Sequence, residues 1–307
     1  MKLFKRIAQA CEPYQRLLEE LREGKSPVLM VGASEIHKAH FIYAAADELS
    51  GPALILTHDE QTARSFVENI NAMAGDERAV LYPERDFNLR EMDAVSREYE
   101  QMRLSVLSRL LNGEKLIAAA SIEAVLQYTM PPAALSSRTF SLKPGDTVDL
   151  KELAAHLVRA GYENRPQVEG TAQFSIRGGI ADVFPPGSTA PVRIELWGDE
   201  IDTLSFFDIQ TQRRTDAADE VLITPASEVL PDSAEALVKA IESLAKKTKH
   251  EKAAEHLRAD ADRLTEGLAL NSFDRYLSLI YSAPGTLFDY MKLGTVFVCE
   301  YASIREK

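Results

Sequence analysis

Short apolar runs alternate with amphipathic stretches over the first 128 residues, and no other feature of this sequence limits the fold as strongly. After each run comes a segment in which apolar side chains recur at the spacing of an α-helix. Strand and helix in this rhythm predict a mostly parallel sheet with helices on its faces, because parallel neighbours need long crossover connections. The predicted strands are residues 27–31, 53–57, 79–82 and 116–120, and the predicted helices are residues 35–49, 60–73, 96–111 and 122–128.

The pattern changes at the prolines that follow Met130. Between residues 133 and 225 the sequence predicts one helix, residues 150–160, and several short extended segments. Tight turns such as Arg177-Gly178-Gly179 and Gly198-Asp199 join these segments, which is typical of an antiparallel sheet. The predicted strands of this sheet are residues 173–176, 180–184, 192–197 and 201–207.

A final apolar run, residues 295–299, follows a long charged helical stretch at residues 233–268. A buried strand so late in the chain indicates that the first sheet resumes after an inserted domain. The sequence therefore predicts an α/β protein whose parallel-sheet domain is interrupted by an α+β domain with an antiparallel sheet. The predicted boundaries are residues 1–129 and 226–307 for the two parts of the first domain, and 130–225 for the insertion.

Charge and composition exclude several classes of protein. The formal net charge is −12, from 35 Lys and Arg against 47 Asp and Glu, which argues against a protein that mainly follows phosphate backbones. The two cysteines, Cys11 and Cys299, cannot form a disulfide framework and fit a reducing compartment. No apolar run approaches the roughly 18 residues of a membrane span, and the N-terminus lacks a signal-peptide pattern. We expect a soluble, cytoplasmic protein with no membrane partner.

A degenerate phosphate-binding loop follows the first predicted strand. Gly32 and Lys38 match the G-x-x-x-x-G-K-[ST] pattern, but His37 replaces the second glycine and Ala39 replaces the Ser/Thr. The glycine gives the loop backbone room to approach a phosphate, and the hydroxyl is a Mg²⁺ ligand. The loop has therefore lost two parts that nucleotide hydrolysis needs.

The last predicted strand shows a second loss. A nucleotide hydrolase needs an apolar strand ending in Asp to hold Mg²⁺, whereas this strand ends in Cys299-Glu300. Together the two degenerate sites predict a nucleotide-binding shape that has lost its hydrolytic activity. The alternative is an ordinary α/β domain in which Lys38 matches by chance.

Specific motifs lie in the inserted domain. Residues 174–185 read Phe-Ser-Ile-Arg-Gly-Gly-Ile-Ala-Asp-Val-Phe-Pro, and residues 191–202 read Pro-Val-Arg-Ile-Glu-Leu-Trp-Gly-Asp-Glu-Ile-Asp. With residues 204–208, they resemble the second domain of the excision-repair UvrB family, and more closely the same domain in the N-terminal UvrB-homology module of bacterial transcription-repair coupling factors. The resemblance covers the chain from about residue 15 to its end, and it implies a degenerate RecA/helicase-like fold for the first domain.

Two departures from UvrB favour the coupling factors. UvrB keeps an intact phosphate loop, and it carries a long aromatic-rich hairpin that clamps damaged DNA. Here only residues 83–95 separate a predicted strand from the next helix, and Asp86-Phe87 supplies one aromatic residue. The resemblance also implies that the chain is a piece of a longer ATP-dependent DNA translocase, whose later domains engage RNA polymerase and DNA.

The resemblance implies that the inserted domain binds UvrA through Arg177, Arg193 and Trp197, with Trp197 at a position that commonly holds Phe. Strand alternation places Arg193, Glu195 and Trp197 on one sheet face, and Arg and aromatic residues concentrate binding energy at interfaces. Two alternatives stand beside this interpretation. The arginines can instead pair with Asp182 or Glu195, and Trp197 can be a core side chain if the register is reversed.

The predicted function is therefore a non-catalytic recruitment module of transcription-coupled nucleotide excision repair, with no cofactor and no metal. Its inactive nucleotide site comprises Gly32, His37, Lys38, Ala39, Cys299 and Glu300. The alternatives are a nucleotide-dependent helicase fragment of the UvrB type and an autonomous DNA-binding module. The charge of −12 makes strong DNA binding by this chain unexpected.

Overall fold

A computed structural model of the chain describes residues 2–85, 97–268, 270 and 273–307. Its strands are β1 (Ala53–Thr57), β2 (Ala79–Leu81), β3 (Ile117–Ser121), β4 (Phe140–Leu142), β5 (Glu163–Asn164), β6 (Gln173–Arg177), β7 (Ile180–Val183), β8 (Val192–Trp197), β9 (Glu200–Phe207), β10 (Arg214–Ala217), β11 (Val221–Ile223) and β12 (Thr295–Val298).

Its α-helices are α1 (Lys2–Gln9), α2 (Glu12–Arg22), α3 (Glu35–Ala46), α4 (Glu60–Ala74), α5 (Glu98–Leu111), α6 (Ile122–Leu126), α7 (Pro132–Arg138), α8 (Leu150–Arg159), α9 (Ala234–Lys247), α10 (Glu251–Thr265), α11 (Leu277–Ile280) and α12 (Tyr301–Glu306). Two short 3₁₀ helices span Phe273–Tyr276 and Leu287–Tyr290.

The chain divides into two compact units. Unit 1 comprises Met1–Arg85, Val106–Gln127 and Leu287–Lys307, and unit 2 comprises Asp86–Ser105 and Tyr128–Thr286. In sequence, most of unit 2 lies between the second and third segments of unit 1, and helix α5 contributes residues to both units.

Unit 1 contains a four-stranded parallel sheet in the order β12-β1-β3-β2. The central strands β1 and β3 are buried throughout, as expected for a parallel sheet with both faces covered. Helix α4 begins where Asp59 accepts a hydrogen bond from the backbone N–H of Thr62, at 2.7 Å, and it ends at Gly75 with φ 76°. The predicted parallel sheet and its resumption at the last strand are confirmed.

Two strand predictions in unit 1 need correction. Residues 27–31, all of them described, form no strand, and Leu29 and Val31 are 85% and 80% exposed. Residues 28–31 line an open groove with α2, and the four-stranded sheet of unit 1 does not include them. The strand predicted at residues 295–299 forms as β12, but it is an edge strand whose Val296 and Val298 are exposed, not a buried strand.

Unit 2 contains a six-stranded sheet in the order β10-β9-β8-β7-β6-β5, antiparallel except between β5 and β6. Helix α8 packs against its inner face, where Leu153 and Leu157 share a core with Phe174, Val192 and Ile194. This confirms the antiparallel sheet. Helix α7 and strand β10 were not predicted, and the predicted helix start at Ser96 and the Asp86-Phe87 segment lie outside the described residues.

Candidate functional site

A polar row crosses the outer face of the six-stranded sheet in unit 2, opposite α8. Strand register aligns Ser175 with Asp182, Asp182 with Arg193, and Arg193 with Ser205. On β8 the neighbouring residues Val192 and Ile194 are fully buried in the core. The predicted alternation along β8 is therefore confirmed, and it places Arg193 away from the apolar core.

Asp182 connects the two arginines that the sequence singled out. Its Oδ1 accepts a hydrogen bond from Arg193 Nε at 2.7 Å, and its Oδ2 accepts one from Arg193 Nη2 at 2.9 Å. Arg177 Nη2 donates a third, at 2.9 Å to Oδ2. Hydrogen bonds to Asp182 raise the pKa of Arg193. Both arginines thus pair with a buried carboxylate, which is the alternative that the sequence had left open.

Two loops, residues 165–170 and 208–213, cover this polar row, and we call them the covering loops. Ser175 Oγ donates to the carbonyl of Pro166 at 2.9 Å, and Arg193 Nη1 donates to the carbonyl of Gln212 at 3.2 Å. The Arg193 guanidinium also stacks over the Phe207 ring, 4.7 Å from its centroid. The side chain of Arg193 is consequently only 14% exposed.

The outer face is open at the end next to the β6–β7 and β8–β9 turns. Trp197 is 85% exposed there, and the side chain of Arg177 is 51% exposed. Glu195, two residues before Trp197 on the same strand face, is paired in register with Ile180 and forms an ion pair with Arg214. We call Arg177, Ile180, Glu195, Trp197 and Arg214 the open patch. Trp197 lies outside the core, so the reversed register is wrong.

The structure thus brings Arg177 and Arg193 together on Asp182 and leaves Trp197 at the open end of the same face. Sequence reasoning missed the roles of Phe207, Gln212 and Arg214. Arg214 gave no signal because β10 has no apolar alternation, and all four of its residues are exposed. The sequence indicates only that Phe207 is one more apolar residue of a strand, although its ring stacks against the Arg193 guanidinium.

The residues predicted to form a degenerate nucleotide site lie in unit 1. Gly32 has φ 80°, and helix α3 begins three residues later. His37 Nδ1 lies 2.9 Å from Ser34 Oγ, and Ala39 is fully buried. Lys38 Nζ forms an ion pair with the Glu300 carboxylate, so the structure brings together residues predicted to share one site.

The charge and protonation of these residues follow from their contacts within the chain. The hydrogen bond from Lys38 lowers the pKa of Glu300, so the lysine charge is matched within the chain. Cys299, whose backbone N–H donates to the carbonyl of Leu56 at 2.9 Å, is buried, and its burial raises the pKa of the thiol to about 11. Cys299 is therefore a neutral thiol at neutral pH, at the position where the sequence pattern of an intact nucleotide site has an acid.

Among the described residues, no group of three or more His, Cys, Asp or Glu side chains is arranged to hold a metal ion. The described helices likewise include none with the length and apolar character needed to cross a bilayer.

Comparison with known proteins places the outer face inside a recognised domain. A family model described as "UvrB interaction domain" matches residues 140–229. The transcription-repair-coupling factor of Bacillus subtilis (strain 168) is 32% identical over 302 residues, which cover 95% of this chain and 26% of that protein. The transcription-repair-coupling factor of Myxococcus xanthus is 32% identical over 226 residues, covering 71% and 19%. The chain therefore spans about a quarter or less of the length of these curated relatives.

Proposed function

The chain is homologous to a segment of the transcription-repair-coupling factor family over nearly its whole length, and from that premise we propose that it acts as a recruitment module in transcription-coupled nucleotide excision repair. Its task is to bind UvrA through the outer face of the six-stranded sheet. The inserted domain, residues 130–225, carries this contact. RNA polymerase and DNA are engaged by parts of the relatives that this chain does not match.

One observation carries the proposal. Trp197, a large apolar side chain, is 85% exposed beside the half-exposed Arg177, within the segment that matches the UvrB interaction domain. Exposing a Trp ring to water is unfavourable, whereas Trp and Arg are the residue types most enriched among the hot spots of protein interfaces. A partner that covers Trp197 would recover this cost.

The proposed site residues differ in role. Trp197 and Arg177 are accessible and contact the partner directly. Arg193 is mostly covered, and it acts by holding Asp182, β8 and the covering loop at residues 208–213 in place. Loss of either arginine therefore weakens UvrA binding, but by different routes.

The module is also proposed to be non-catalytic. Lys38 is paired with Glu300, Ala39 has no hydroxyl group, and Cys299 is a buried thiol. Each departure removes a contact that a Mg·nucleotide complex requires. The retained sheet then serves as a scaffold, and the active nucleotide site of the longer relatives lies elsewhere in their sequence.

Two titrations test the proposal. We expect the chain to bind UvrA saturably at physiological ionic strength, and Arg177→Ala or Arg193→Ala to weaken that binding while the fold remains intact. We expect a titration with Mg·ATP to give no saturable binding, and Lys38→Ala to give the same baseline as the unaltered chain. Saturable Mg·ATP binding that Lys38→Ala abolishes would instead support a nucleotide-dependent fragment, and tight salt-dependent duplex binding would support a DNA-binding module.

A further inference from the structure

Arg214 brings a second accessible guanidinium to the open patch. It lies on β10, aligned in register with Phe207 on β9, and its side chain reaches across β9 to the Glu195 carboxylate on β8. The side chain remains 49% exposed in this pair. Arg214 thus resembles Arg177, which is half exposed and paired with Asp182 on β7.

The two guanidinium groups therefore converge. Arg177 starts on β6 and reaches inward to β7, and Arg214 starts on β10 and reaches inward to β8. Strands β7 and β8 are direct neighbours, and neighbouring strands lie about 4.8 Å apart. Ile180 and Trp197 occupy the same end of these two strands, because Ile180 is aligned with Glu195 and Trp197 follows two residues later.

The arginines of this face lie among carboxylates of the chain. Glu195 pairs with Arg214, and the exposed Glu200 is aligned in register with Trp197. Asp182 is buried under the covering loops and accepts from both Arg177 and Arg193. Glu195 forms the ion pair with Arg214, so it competes with any external acid for that guanidinium.

We propose that Arg214 is a contact residue of the docking face and that the partner surface presents two acidic groups beside an apolar contact with Trp197. One acidic group pairs with Arg177 and the other with Arg214, and Glu195 limits the affinity by holding Arg214 in the free chain. This inference rests on the proposed function and specifies the chemistry of its binding surface.

The test is a titration of UvrA with six forms of the chain at physiological ionic strength: unaltered, Arg214→Ala, Arg159→Ala, Glu195→Gln, Trp197→Ala and the double variant Arg214→Ala/Glu195→Gln. Arg159 is the matched control, because it is exposed and of equal charge but lies on α8, which packs against the opposite face of the sheet. Far-ultraviolet circular dichroism and thermal melting verify that each form is folded. Glu195→Gln retains an acceptor for Thr203 Oγ1, which lies 3.2 Å from Oε2.

We expect Arg214→Ala to weaken binding at least about fivefold, as for a typical interface hot spot, and Arg159→Ala to remain within about twofold of the unaltered chain. Glu195→Gln should bind UvrA more tightly than the unaltered chain. In the double variant Arg214→Ala/Glu195→Gln, the gain in affinity from Glu195→Gln should be smaller.

Equal affinities for Arg214→Ala and the unaltered chain would overturn the inference, as would weaker binding by Glu195→Gln. If Trp197→Ala weakens binding while Arg214→Ala does not, the docking function stands and only this inference falls. If the unaltered chain shows no binding, both fall.

Discussion

Asp182 and Arg193 form a bidentate pair, in which Nε and Nη2 of the arginine donate to Oδ1 and Oδ2 at 2.7 and 2.9 Å. The parallel geometry of two charge-assisted hydrogen bonds fixes the guanidinium plane as well as its position. Because Asp182 also accepts from the exposed Arg177, this pair links the buried row of the sheet to the open patch. The stability of the sheet and the proposed docking surface therefore depend on one carboxylate.

Asp182→Asn should lower the free energy of unfolding by about 3 kcal/mol, since it leaves the mostly buried Arg193 without a counter-charge and turns an amide N–H₂ toward it. Urea denaturation measures the change. Asp202→Asn is the matched control on an exposed β9 position, and we expect it to stay within about 0.5 kcal/mol. Equal stability of the two variants would mean that the pair does not hold the outer face together.

Trp197→Ala should weaken UvrA binding at least about tenfold without destabilising the chain, because the ring is 85% exposed and packs against little of its own protein. Tyr301→Ala provides the comparison, as this aromatic residue is 66% exposed in unit 1. Thermal melting should give the same midpoint for both variants and the unaltered chain. Weakened binding by Tyr301→Ala, with none by Trp197→Ala, would move the docking surface to the other unit.

A second buried ion pair lies in unit 2, between Arg103 and Glu228, whose side chains are both fully buried. Arg103 Nε donates to Glu228 Oε1 at 2.6 Å, and Thr129 Oγ1 donates to Oε2 at 2.6 Å. Removing one member leaves the other charged in a site without water, which costs far more than the net value of the pair.

Arg103→Met should therefore reduce the free energy of unfolding by about 3–5 kcal/mol, and Arg103→Met combined with Glu228→Leu should recover part of that loss. Urea denaturation of both forms supplies the numbers. Arg165→Met is the control, because Arg165 and Glu163 form an ion pair in which both side chains are about half exposed, and we expect a loss below about 1 kcal/mol. A double variant less stable than Arg103→Met would contradict this account.

Cys299 should react slowly with iodoacetamide in the folded protein at pH 8. Burial raises the pKa of its thiol to about 11, and only the thiolate is an effective nucleophile. As pH rises toward 11 the thiolate fraction grows, so the rate should increase about tenfold per pH unit. Mass spectrometry follows the modification, with Cys299→Ser used to assign the signal and urea-unfolded protein as the reactive reference. Equal rates for folded and unfolded protein at pH 8 would contradict the buried thiol.

Local patterns were sufficient for most of the fold. Continuous apolar runs predicted β1 and β3, which are buried on both faces, and period-two alternation predicted which side chains of β8 enter the core. The resemblance found in residues 174–208 is confirmed by the family model and the relatives. These features depend on residues close together in the sequence.

Features set by distant partners were not predictable. Residues 27–31 have the composition of a buried strand, but strand formation needs a neighbour, and the sheet of unit 1 does not include them. The cover over Asp182 depends on two loops, one of which contains Gln212, 30 residues further along the chain. No local pattern marks Arg214 as the partner of Glu195, since the pair joins β10 and β8, which are separated by β9 in the sheet.

The central claim is that the outer face binds UvrA, and calorimetric titration of UvrA with the chain and its Arg177→Ala variant tests it most directly. Arg159→Ala is the matched control, because this exposed arginine lies on α8, which packs against the opposite face of the sheet. The account predicts saturable binding that Arg177→Ala weakens at least about fivefold and that Arg159→Ala leaves unchanged. Equal affinity for the unaltered chain and Arg177→Ala, with both forms folded, would contradict it.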